Sequence, residues 1–470
     1  MINQISRPLD VHKWSEHKEV NKFVNFIYEN YFRLQNPKLV KKHIKVILLD
    51  LYVAWKEDPL MKLGVNMNNN AYKAKSRYNE LHISKKTILV VNHLHNLKFI
   101  HLKLGYFAQG EKEGRISRIW AADKLIKHFE KAKYGLENFQ THSDREAIVL
   151  RDNSKKDIEY EDTTQTIKMR ELVKAYNVLL KRTFIDIPEL KEPCIIVKNK
   201  HIYISQHEKF VRRIFSNSSW NENGRFYGGW WQRIPKQWRS KIYINDMPTI
   251  EDDYSSLHPI LLYAQKGIDY NKLKKGDPYN VPKLDINDQE TKRKIIKTLL
   301  LTAINAKDER SCFQAVKSEL QIEIPDFKFS FENLNLILQQ LKNNHSEIAD
   351  DFCNGKGIGL LNLDSQIAEY VIEKFVSSDI PILCIHDSFI VSVKQDNFLR
   401  KTMVEAVQNI INNANPKIKR VGFGYTDIHS NRHLDRDFYL DRMIEISAKS
   451  PNTTEEYMYR KQLFNENSKS

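Results

Sequence analysis

Four cysteines, Cys194, Cys312, Cys353 and Cys384, are scattered over 470 residues, and no two form a C-x-x-C pair. That scatter argues against a structural zinc site and against a disulfide framework, and favours a reducing compartment. No apolar run approaches the ~18 residues that span a bilayer. The opening stretch MINQISRPLDVHKWSEHKEV has no apolar core of signal-peptide length. Internal repeats and low-complexity tracts are absent from the sequence. The expectation from these absences is a cytoplasmic protein without a membrane partner.

What is there is the composition of a folded chain, with 41% hydrophobic and 28% charged residues. The length suits about two to four domains. Lys and Arg number 74 against 59 Asp and Glu, a formal charge of +15. Such a surplus suits a polyanionic partner, because basic groups near phosphates release condensed counterions.

Residues 38–58 have helical periodicity, whereas KKTILVVNHLHNL (85–97) reads as a strand with a β-rich apolar centre. The alternation there puts His93 and His95 on one strand face, with His101 beyond, and a metal site is the weaker reading of these three. KKDIEYED (155–162) contains Asp157-x-Glu159 in a polar, unpatterned stretch and reads as a solvated charge run. PCIIVKNKHIYIS (193–205) predicts a hairpin turning at Lys198–Lys200. Asp288 is placed to cap a helix over 287–307, and three more helices follow around 331–352, 362–376 and 396–413. The segment 380–393 reads as two strands around a tight polar centre, and the last ~20 residues read as loose.

Two acidic residues stand where chemistry can gather. Asp253 ends the run that follows the strand-like KIYIND, and Asp387 sits between ILCI and FIVSV. A hairpin with one Asp at its tip, beside a strand end bearing another, can bring two carboxylates to one point. Nucleotidyl transfer needs that arrangement, since two divalent ions ~3.5–4 Å apart activate the 3′-hydroxyl and neutralise the leaving pyrophosphate. Hard oxygen donors suit Mg²⁺, with Mn²⁺ as a substitute. Arg293 and Lys297, four apart on a helix, share a face and can meet one triphosphate.

At these residues the chain resembles the palm of family A DNA polymerases and the single-subunit RNA polymerases. DYSSLHP (253–259) is similar to motif A, blending the family A pattern Asp-Tyr-Ser-Gln-Ile-Glu with the family B pattern Asp-x-x-Ser-Leu-Tyr-Pro. CIHDSFIVSV resembles motif C, and His386-Asp387-Ser388 is the form seen in phage and mitochondrial RNA polymerases. Arg293, Lys297, Asn305 and Ala306 fall at the positions of motif B, R-x3-K-x7-Y-G. Gly224-Arg225 and Gln232-x-Ile234-Pro235 match, in order, a family A stretch upstream of motif A, and Gln366 lies on a helix like that preceding motif C. The resemblance covers roughly 220–415, and its weight lies in the ordered co-occurrence of these motifs.

The resemblance implies an α+β right-hand polymerase of palm, fingers and thumb with an added mixed N-terminal domain. Residues 1–150 would form that domain, 151–220 the thumb or connecting region, 221–430 the palm and fingers (fingers about 280–360), and 431–470 a tail. Asp253 and Asp387 would hold two Mg²⁺ ions with the backbone carbonyl of Tyr254, and Asp252 is a candidate third ligand. Arg293, Lys297, Asn305, His258 and Tyr254 would bind the nucleotide, and Lys297 would protonate the pyrophosphate. Arg225, Gln232, Gln366 and His386 would meet a primer–template.

The departures are Asn305-Ala306 for Tyr-Gly, Ser388 for an acidic residue, and His258 at the sugar-checking position. The implied activity is DNA synthesis from dNTPs. RNA polymerase or primase activity with NTPs, template-independent addition, a non-catalytic nucleic-acid-binding protein and a two-metal nuclease remain as alternatives.

Overall fold

The computed structural model describes residues 6–32, 34–106, 116–197, 200–281, 288–324, 329–422 and 453–468. Its architecture is mixed α and β, with buried apolar side chains in two main clusters. One runs from Val20 to Phe139 and the other from Ala147 to Ala414.

The first cluster lies between a four-stranded sheet and its helices. Ser6–Pro8 pairs parallel with Lys62–Val65, which pairs antiparallel with Ser117–Ala121, itself antiparallel to Ile100–Lys103. The helix Pro37–Glu57 supplies much of this core. The stretch expected as a strand at 85–97 is instead the helix Lys86–Asn96. Its β-branched centre favoured a strand locally, but Thr87, Val90, Val91 and Leu94 are its buried residues, and that spacing is one helical face. The histidines are dispersed: His93 bonds the Tyr31 carbonyl, His95 the Ile100 carbonyl, and His101 stacks on Trp120. Asp157 pairs with Arg151, and Glu159 accepts from Ser76.

The second cluster is organised by an antiparallel sheet. Leu383–Ile385 and Ser388–Ser392 form a hairpin, and Ser388–Ser392 pairs with Met247–Tyr254. That strand pairs in turn with Tyr243–Ile244 at its start and Ile418–Val421 at its end. Helices Gln289–Asn305, Glu309–Glu323, Phe331–Asn344, Gly357–Ser377 and Asp396–Ile410 contribute buried side chains to the same cluster. Asp288 caps the first of these through the amides of Glu290 and Thr291. The strands Cys194–Val197 and Lys200–Tyr203 form the expected antiparallel pair, with the turn at 198–199 outside the described residues.

Two glycines permit close approaches. Gly224 has φ +86°, and a Cβ there would stand 2.7 Å from Phe215 and 2.8 Å from Ser365 Oγ. Gly357 lets its helix start against the end of Gln289–Asn305, since a Cβ would stand 2.6 Å from the Asn305 Cα.

The expectation of a loose C-terminus is corrected for 455–468, while 431–452 lies outside the described residues. Glu455–Ser468 is a helix. Arg460 makes a bidentate pair with Asp186 at 2.9 and 3.0 Å, and the buried Tyr457 donates to Asp246. Polar composition hid these anchors, because they act through ion pairs rather than an apolar stripe. Among the described residues no helix is long and apolar enough to cross a membrane.

Candidate active site

Strand Met247–Tyr254 sends alternate side chains to opposite sheet faces. Ile250, Asp252 and Tyr254 share one face, and Thr249, Glu251 and Asp253 the other. Its register places Asp253 opposite Ser388, the residue after Asp387. Directly opposed residues in antiparallel strands bring their Cα atoms to ~4.5–5.5 Å. The hairpin turns through His386, whose φ of +57° makes the turn tight and leaves Asp387 at its tip. The Tyr254 amide also donates to the Asp387 carbonyl at 3.4 Å. Two acidic residues 134 positions apart in sequence therefore stand side by side at one end of the sheet, within electrostatic reach of each other.

Their electrostatics follow from crowding. Burial, then Asp387, then Glu251 push the Asp253 carboxyl up to about 7, against the pull of Lys236 and Lys297. Burial and then Asp364 raise Asp387, opposed by Arg225 and His258. Glu251 is held by Arg239 at 2.9 Å and accepts from Ser388 Oγ at 3.0 Å.

Helix Gln289–Asn305 brings the Lys297 ammonium within electrostatic reach of Asp253. Ile295, Ile296, Leu299, Leu300 and Ala303 are buried, which leaves Arg293 and Lys297 together on another face. The Arg293 guanidinium lies 5.0 Å and the Lys297 ammonium 5.9 Å from the Tyr279 ring centroid. Arg293 also pairs with Asp277 at 2.8 Å. Beside them a cavity of about 470 Å³ is lined by Ser255, Ser256, Lys274, Lys275, Arg293 and Lys417 among others. It opens at the end of the strand that carries Asp253.

Other expected residues are placed differently. Asp252 is no ligand candidate: it is fully buried on the far face, in a bidentate pair with Arg420 at 2.8 Å on both arms. The Tyr254 side chain is 3% exposed on that face, its hydroxyl donating to the Met403 carbonyl, so it cannot line a nucleotide pocket. Asn305 turns its amide back to the Leu301 carbonyl. Gln232 accepts from the Gly228 amide and donates to the Phe226 and Cys384 carbonyls, tying loop to hairpin. Gln366 donates to Asn362 and lines an open groove of about 540 Å³. The His386 ring meets Tyr227 edge-on at 5.5 Å, and its buried Nδ1 has no hydrogen-bond partner among the described residues.

Arg225 faces inward. Its Nε donates to Asp364 Oδ2 at 2.6 Å, and its Nη2 lies 3.2 Å from His258 Nε2. Asp364, Lys236, Glu251 and Tyr279 escaped sequence reasoning. The signal for Asp364 was available: it is the one acidic residue in the otherwise neutral 357–368 stretch of its helix.

No family model matches the chain, and no curated protein matches it. Among solved structures, the POL domain of Pol1 from M. smegmatis, in complex with DNA primer-template and dNTP, is similar to 56% of this chain. The identity is 12%, the TM-score 0.32, and the match spans 53% of that chain.

Among the described residues no group of three or more His, Cys, Asp or Glu side chains is arranged to hold a metal ion. The Asp253–Asp387 pair nevertheless fits Mg²⁺. That ion takes hard oxygen ligands and commonly binds through only one or two protein carboxylates, with waters and substrate phosphates completing its shell. An Asp253 carboxyl raised to about 7 by burial and then by a neighbouring acid is a group that gains from an added cation.

Proposed function

We propose that this chain is a template-directed nucleic acid polymerase that adds nucleotides to a primer 3′-hydroxyl, with DNA synthesis from dNTPs as its activity. The observation that carries the proposal is the meeting of Asp253 and Asp387 at one sheet end beneath the helix bearing Arg293 and Lys297. In this reading the sheet of 247–254 and 383–392 is the palm, the helices of 289–344 belong to the fingers, and 151–220 holds the thumb. Residues 1–150 form an additional domain.

Each residue then has a task. Asp253 and Asp387, with the Tyr254 backbone carbonyl, hold two Mg²⁺ ions, whose chemistry when bound is to acidify the 3′-hydroxyl and neutralise the pyrophosphate. Arg293 and Lys297 bind the triphosphate, whose tail fits the basic cavity at Ser255, Ser256 and Lys417. Lys297 stands on the Asp253 side of the helix and is the proton donor to the leaving group. His258 borders the sugar, and His386 and Gln366 lie toward the primer terminus. A nuclease would have no use for the Arg293–Lys297 face.

A second reading, RNA polymerase or primase, is favoured by His258 at the sugar-checking position, because an imidazole can hydrogen-bond a 2′-hydroxyl. The test is primer extension with Mg²⁺ and either dNTPs or NTPs, beside Asp387→Ala. Extension by dNTPs alone, lost in the variant, is the expected result. Extension by NTPs selects the second reading, and degradation without extension refutes both.

A further inference from the structure

The four-stranded sheet of the first cluster has a second face that the assignment above does not use. Leu63, Val65, Ile100 and Ile119 belong to the core that helix Pro37–Glu57 shares. Side chains alternate along a strand, so Lys62, His101, Lys103, Arg118 and Trp120 fall together on the opposite face. His101 and Lys103 are exposed, Lys62 and Trp120 half-buried, and Arg118 is 9% exposed.

The register orders these five residues. Ile100–Lys103 is an edge strand, with His101 opposite Trp120 and Lys103 opposite Arg118. On the other side Leu63 lies opposite Ile119, which brings Lys62 up against Trp120. The His101 ring stacks on Trp120 at 5.2 Å with 27° between the planes, and the Lys62 ammonium is 4.3 Å from the Trp120 ring centroid. Ammonium, indole and imidazole thus form a row that ends on an exposed ring at the sheet edge, where another flat ring can add to the stack.

The charges on this face are uncompensated. Like charges directly opposite each other on adjacent strands destabilise a sheet, and Lys103 and Arg118 are such a pair. Burial first, and then Arg118 and Lys103, hold the Lys62 ammonium below its usual range. Among the described residues none of the three cations makes an ion pair. Three crowded cations suit phosphates, and the neighbouring ring row suits a base. A single strand offers both groups at once, whereas a duplex hides its ring faces in its own stack.

We propose that this sheet face binds single-stranded nucleic acid, with Lys62, Lys103 and Arg118 on the phosphates and a base stacked on His101. The surface lies in the other core cluster from Asp253 and Asp387 and does not depend on the polymerase reading.

The experiment is fluorescence anisotropy of labelled oligo-dT and oligo-rU of about 12 nucleotides, titrated with the full-length chain in the presence of a chelator. Lys62→Gln with Lys103→Gln is expected to weaken binding about tenfold or more and to lower the slope of log affinity against log salt by about 1.4. His101→Ala is expected to weaken it about fivefold or more through lost stacking. Lys131→Gln with Lys133→Gln, which removes the same charge from two exposed lysines elsewhere, should stay within about twofold of wild type. Tighter oligo-dT marks DNA and tighter oligo-rU marks RNA, and either supports the surface. The same pattern in a wild-type chain that extends no primer keeps the surface while refuting the polymerase reading. Unchanged affinity in the sheet-face variants, an equal loss in the control, or a duplex bound as tightly as either single strand overturns the proposal.

Discussion

Replacing Asp253 by asparagine is expected to stabilise the cation-free protein at pH 8 and to change little at pH 4. Burial first, and then Asp387 and Glu251, raise this carboxyl from 3.8 to about 7. Below about pH 4 the folded and unfolded chains both keep the proton, so the group contributes nothing. Between about 4 and 7 the unfolded chain releases the proton while the folded chain retains it, and stability falls as pH rises. Above about 7 the folded chain carries the whole penalty of the charged form.

The full interval corresponds to about 4 kcal/mol, and partial exposure of the group brings the usable figure to about 2 kcal/mol. Asparagine keeps the shape and removes the charge. The assay is urea unfolding with a chelator present, followed by tryptophan fluorescence. Trp231 is buried and donates to the Cys384 carbonyl, so it reports on this sheet. A variant no more stable than wild type at pH 8, or equally stabilised at both pH values, would refute the claim that the two acids are crowded together.

Arg420→Ala leaves Asp252 buried without its bidentate partner and should cost about 3–5 kcal/mol in denaturant unfolding, with Arg420→Lys restoring only part because it cannot reproduce the fork. Gly357→Ala puts a Cβ on the Asn305 backbone, and the helix shift that follows should lower stability by about 1–3 kcal/mol, read from thermal melts. Lys297→Ala removes a cation that holds Asp253 down, so the acid limb of the activity–pH profile should move to higher pH while incorporation falls. An unmoved acid limb would separate Lys297 from the acidic pair.

Much of the central sheet and its helices was legible because local and tertiary preferences agree there. The hairpin at 383–392 alternates as strands do, Asp288 is a good helix cap, and Arg293 and Lys297 fall opposite an apolar face. Legibility failed where partners come from afar. Helix Lys86–Asn96 carries a strand-like core sequence and is helical because one face packs into the first cluster. Asp252 and Asp253 look equivalent as neighbours, yet the two-residue period of a strand sends one to Arg420 and the other to Asp387. Arg225 and Gln232 were legible as positions but not as contacts, since their partners Asp364 and Cys384 lie more than 130 residues away. Glu455–Ser468 has no amphipathic stripe and is fixed by Arg460 on Asp186 and Tyr457 on Asp246.

The central claim is that Asp253 and Asp387 together carry nucleotidyl transfer. A single-turnover quench of one labelled nucleotide onto a primed template, with Mg²⁺, measures that step. Wild type should add the nucleotide, while Asp253→Asn and Asp387→Asn should each fall by about a thousandfold or more, with the double variant little worse than either, because the two act as a unit. Incorporation that survives in either single variant, or none by the wild type, would contradict the account.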